Sequence, residues 1–130
     1  MSLKNISLSG IAVLAMLTGC HSDKTHPPTA QDIQAAKQDA RSEIEKARAE
    51  ASRDIKSVEK TSGSSKGVAR AKAEGAYDIA MVKAEGDHNV ATEQCLTQQP
   101  SLQQACRDQA DADYEKAKSD AKATRLARSQ

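Results

Sequence analysis

Ile33, Ala36, Ala40, Ile44, Ala47, Ala51, Ile55 and Val58 follow one another at steps of 3, 4, 4, 3, 4, 4 and 3. A pattern that returns after eleven residues spreads three helical turns over them, about 3.67 residues per turn, so the stripe stays on one face of a nearly straight helix. The pattern stops at TSGSSKG, residues 61–67, and resumes in Val68, Ala71, Gly75, Ile79, Val82, Gly86 and Val90 at steps of 3, 4, 4, 3, 4 and 4. KAEG occurs at 72–75 and again at 83–86, and both of its glycines fall on the apolar stripe. A glycine inside a helix costs about 1 kcal/mol relative to alanine, so two in one register predict close approach of a second helix backbone. Beyond Pro100, the residues Leu102, Cys106, Ala110, Tyr114, Ala117 and Ala121 form one face of a third helix.

Boundary signals divide the chain further. Two adjacent prolines in HSDKTHPPTA mark a spacer over residues 20–28, and Thr29 with Asp32 three positions on reads as the N-cap of helix one, 29–60. Such a helix would be about 46 Å long. Glu43 with Lys46, Glu45 with Arg48 and Glu50 with Arg53 are spaced for ion pairs on its solvated side, worth a few tenths of a kcal/mol each. Residues 61–67 predict a flexible linker, and 68–130 a second helical region with its own internal reversal. Ser101 and Gln104 suit the start of helix three, while Lys116, Lys118, Lys122, Arg125 and Arg128 suit its C-terminal end, where the helix dipole favours cations.

Composition makes this picture extended. The 130 residues include no Trp, no Phe and two tyrosines, Tyr77 and Tyr114. A chain with so little to bury does not round up around a large core. The expected fold is all-α: a long N-terminal helix plus an antiparallel helical hairpin, with little globular core.

Residues 1–19 carry one cation, Lys4, then an apolar run from Ile11 to Leu17, then Thr18 and Gly19. This is the plan of a cleaved signal peptide, and the run falls short of the roughly 20 residues that span a bilayer. Leu17-Thr18-Gly19-Cys20 resembles the lipobox of bacterial lipoproteins. That resemblance implies cleavage before Cys20, lipidation of its sulfur and acylation of the new amino terminus. Two acyl chains suffice for stable anchoring, so the expected partner is a membrane, held through lipid on Cys20. In the lipoprotein sorting rule an aspartate after the cysteine retains the protein at the inner membrane. His21 stands there instead, which implies the periplasmic side of the outer membrane. Removing Lys4 leaves 18 basic against 18 acidic side chains, a balance that gives no electrostatic footprint for nucleic acid.

The other two cysteines, in EQCLTQQPSLQQAC (93–106), have three candidate roles. Zinc needs two further ligands, and only His88 is near, with His21 and His26 in the spacer. A redox centre of thioredoxin type needs CxxC spacing. A single pair in an oxidising compartment forms a disulfide, so Cys95 and Cys106 are assigned to one, with no metal and no cofactor. Their Cα atoms must then lie about 4.4–6.8 Å apart, which predicts a hairpin whose turn is confined to 99–101, around Pro100.

Residues 86–123 are similar to the C-terminal region of a group of uncharacterised Ala- and Lys-rich envelope proteins of proteobacteria, labelled TolA-like for their helical composition. Val90, Ala91, Glu93, Cys95, Ala105, Cys106 and Tyr114 carry the similarity, which agrees with the disulfide and brings no catalytic residues. The expected role is structural: a membrane-anchored periplasmic lipoprotein that meets envelope proteins, or itself, through helix packing. The alternative is a protective or membrane-surface amphipathic helix of the stress or desiccation type. No nucleophile with its base and no phosphate loop can be assembled, so neither an enzyme nor a small-molecule substrate is expected.

Overall fold

The computed structural model describes residues 28–128, and every regular element in that span is a helix: α1 Ala30–Thr61, α2 Ser65–Cys95 and α3 Pro100–Arg128. The signal peptide 1–19, Cys20 and most of the spacer lie outside the described residues.

Helix α1 starts at the expected cap. The Thr29 hydroxyl accepts from the Asp32 amide at 3.3 Å, and the Asp32 carboxylate accepts from the Thr29 amide at 2.6 Å, closing a reciprocal capping box. Lys46 and Glu43 pair at 2.6 Å, and that hydrogen bond raises the Lys46 ammonium above the ordinary lysine range. Arg53 turns its Nε to the Ala49 carbonyl instead.

The expected flexible linker at 61–67 is a tight turn of Ser62, Gly63 and Ser64. Two local features close it. Gly63 takes φ +59°, a left-handed conformation open to glycine at no steric cost, and Ser64 caps α2 by accepting from the Gly67 amide at 3.0 Å. Helix α1 is therefore one arm of an antiparallel hairpin with α2.

The register of that hairpin is set by glycine. A Cβ on Gly75 would stand 2.7 Å from the Ala51 Cβ, and one on Gly86 would stand 2.7 Å from the Ala40 Cβ. Ala40 and Ala51 are eleven apart, as are Gly75 and Gly86, so the two stripes run in phase. The numbers of each facing pair add to the same total, twice that of Gly63. The turn glycine is thus the midpoint from which the pairing is counted. Its continuation sets Ile44 level with Val82 and Ala47 level with Ile79.

A second expectation also changes. Helix α2 ends at Cys95, so the reversal to α3 occupies 96–99 and Pro100 is the first residue of α3. Proline loses nothing in a first helical turn, where its missing N–H has no partner to bond, and it pushes Gln99 out of the helical region. The turn therefore lies before Pro100 and is not centred on it. Gln103 ties it down from α3, its Nε2 donating to the carbonyls of Leu96 at 3.2 Å and Gln98 at 3.1 Å.

Among the described residues the interhelical backbone contacts join α1 to α2 and α2 to α3, and none joins α1 to α3. Helix α2 is central. Its side toward α3 carries Ala73, Tyr77, Ala80, Ala84, His88, Ala91 and Cys95, a second stripe at steps of 4, 3, 4, 4, 3 and 4. At an eleven-residue period this stripe points roughly 160° away from the first, so the flanking helices take opposite sides and stay apart. The side chains lost from water in both seams are small: Ala47, Ala51, Ala73, Ala84, Ala110, Ala121 and Cys95 are buried, with Gly75 and Gly86 between them.

Candidate functional site

The α2–α3 seam gathers the chemically distinctive side chains of the described residues. At its turn end Cys95 and Cys106 form a disulfide with their Cα atoms 5.5 Å apart. Cys95 is 1% exposed, against 2% for Ala73 farther down the same seam. The pair is present as expected, although α2 stops at Cys95 itself and the turn between the helices is 96–99 in place of 99–101.

Two clusters follow along the seam. In the nearer one the His88 ring stacks on Tyr114, centroids 4.9 Å apart, and its Nε2 lies 2.7 Å from Oδ1 of Asp111. In the farther one the Arg125 guanidinium lies over the Tyr77 ring, 4.5 Å from its centroid, and Nη1 is 3.3 Å from Oε2 of Glu74. Each cluster is a nitrogen base on a tyrosine face, with an acid three residues before that tyrosine. The helix that supplies the base in one supplies the tyrosine and the acid in the other.

This exchange is a local two-fold relation. Ala73, Glu74, Tyr77, Ala80, Ala84 and His88 of α2 correspond to Ala110, Asp111, Tyr114, Ala117, Ala121 and Arg125 of α3, always 37 positions later. Antiparallel helices with equivalent faces meet around such an axis, and the buried alanines Ala73 with Ala110 and Ala84 with Ala121 are its small steps. Hydrophobic periodicity did not reveal this, because alanine reads as neutral and each cluster as surface charge. Self-comparison of the sequence at that offset carries the signal.

Several candidate residues find different surroundings from those expected. His88, which the sequence offers only as a histidine near the two cysteines, is half-buried in the seam, its side chain 25% exposed. Arg125 lies on Tyr77 as well as near the helix end. Lys118 sits 4.8 Å from the Tyr114 ring centroid, and its hydrogen bond to Glu115 raises its ammonium above the ordinary range. Leu102, expected on the buried face of α3, is 52% exposed, because the face begins one turn later at Cys106.

Among the described residues no three His, Cys, Asp or Glu side chains group so as to hold a metal ion, and no helix is long and apolar enough to cross a membrane. The grooves flanking α2 are open and floored by alanine and glycine, as along Ala36, Ala40 and Gly86. No family model matches the chain, and no curated protein or solved structure shows significant similarity to it.

Proposed function

We propose that the chain is a lipid-anchored protein of the bacterial cell envelope, tethered through Cys20 to the periplasmic face of the outer membrane, with a structural or protein-interaction role and no catalytic one. The observation that carries this reading is the Cys95–Cys106 disulfide, a bond that persists in oxidising compartments. It stands in one chain with Leu17-Thr18-Gly19-Cys20, the segment that resembles a lipobox. Export supplies the conditions for the first and the machinery for the second.

The architecture fits the role. Among the described residues the side chains withdrawn from water are almost all alanine, which suits an extended scaffold of paired helices better than a substrate pocket. The shared register of Ala40 and Ala51 with Gly86 and Gly75 supports a hairpin folded in water, and so disfavours a helix that orders only on drying or on lipid.

Metabolic labelling with a clickable fatty acid tests the anchor. In bacteria expressing the full chain, label should be incorporated and the protein recovered with outer membranes. Cys20→Ser should lose label, processing and membrane retention together, while a Cys95→Ala/Cys106→Ala variant keeps all three. Label that survives Cys20→Ser, or an unlabelled protein in the soluble fraction, rules the reading out.

A further inference from the structure

The two clusters of the α2–α3 seam share one geometry and differ in one property. Arg125 is always charged, whereas His88 carries a charge only when it binds a second proton. The Arg125 cluster shows what the seam does with a permanent cation: it lays it on a tyrosine face and pairs it with an acid. His88 holds the equivalent place on Tyr114 and Asp111.

We propose that His88 is a proton-operated clasp on the α2–α3 hairpin, the titratable counterpart of Arg125. Neutral imidazole already donates to Asp111 through Nε2 in one tautomer. A second proton, on Nδ1, turns that hydrogen bond into an ion pair and the ring stack into a cation–π contact. The clasp tightens on protonation and relaxes as the pH rises.

Charged and titratable groups from all three helices surround His88. From α3, Asp111 and Asp113 face His88 along with Tyr114, and from α1 the groove beside it carries Asp39 and Glu43. Glu85 and Asp87 on α2 add to them, with Asp87 paired to Lys83 and Glu43 to Lys46. The opposing cation is Lys118 on the Tyr114 ring, itself bonded to Glu115. Carboxylates thus outnumber ammonium groups around the imidazole.

Position gives the clasp leverage. His88 lies seven residues before Cys95, about 10 Å along the helix, so the disulfide and the clasp hold neighbouring parts of the same end of the seam. The C-terminal end of α3 is held by Arg125 whatever the pH.

The test compares thermal unfolding of the oxidised full chain with that of His88→Arg, followed by circular dichroism at about pH 8 and about pH 5.5. Relative to His88→Arg, the wild-type midpoint should rise by about 2–5 °C at the lower pH, the shift expected of a partly exposed pair. Histidines 21 and 26 are common to both proteins and cancel. Asp111→Asn, a change at an exposed position, should remove most of the difference. In NMR the Tyr114 ring resonances should titrate over the same interval, and in His88→Arg they should not, while those of Tyr77 stay constant in both. Parallel midpoints in wild type and His88→Arg, or a Tyr114 signal indifferent to pH, would overturn the proposal.

Discussion

Gly75 lies against Ala51 so closely that a methyl group on the glycine would stand 2.7 Å from the methyl of the alanine. The same relation holds eleven residues on, between Gly86 and Ala40. These contacts explain why α2 accepts two glycines in its interior. Their cost in helix propensity is offset by backbone approach and by the burial that the approach allows.

Gly75→Ala should therefore destabilise the protein although alanine is the better helix former. Overpacking costs about 1–3 kcal/mol and propensity returns up to about 1, so a net loss near 1 kcal/mol is expected in chemical denaturation. The exchanged pair Ala51→Gly/Gly75→Ala should recover the contact. A single variant as stable as wild type would mean that α1 does not press on α2 at this point.

Reducing Cys95–Cys106 should cost about 3 kcal/mol in the chain-entropy account of a short closed loop. The loss should be uneven. Among the described residues helix α3 meets α2 alone, so its amides should lose hydrogen-exchange protection first, while α1 and α2 stay joined through Ala51–Gly75 and Ala40–Gly86. Simultaneous opening of all three helices would count against this order.

Arg125→Ala should remove a cation from Tyr77 and a partner from Glu74, for a loss of about 1 kcal/mol. A double-mutant cycle with Glu74→Ala isolates the ion pair, expected at about 0.5 kcal/mol and weakened by high salt because both groups are partly exposed. The contact with Tyr77 should survive the salt. Coupling that ignores ionic strength would show that Arg125 acts through packing alone.

Parts of this structure were legible residue by residue. Thr29 and Asp32 announced the start of α1, and the step pattern from Ile33 to Val58 named the positions that meet α2. KAEG, twice on one register, announced close approach. Other parts were not, for identifiable reasons. TSGSSKG has the composition of a loose linker, and only the left-handed Gly63 and the Ser64 cap make it a tight turn. The reach of the disulfide and the bias against helix at the residue before a proline put the second turn around Pro100, yet at a first helical position proline breaks nothing, and the turn lies at 96–99. The seam toward α3 is hidden in alanines, and the place of His88 in it is not legible because its partners, Asp111 and Tyr114, are more than twenty positions away.

By itself the sequence determined the three helices, the eleven-residue period shared by the first two, the cap of α1 and the cysteines that pair, since each depends on neighbours within a few turns or on a choice among very few thiols. Tertiary structure decided which side of α2 each flanking helix occupies. Alanine is compatible with water and with a seam alike, and only the approach of a particular backbone, in one register, turns Ala73 or Ala84 from a helix former into a contact.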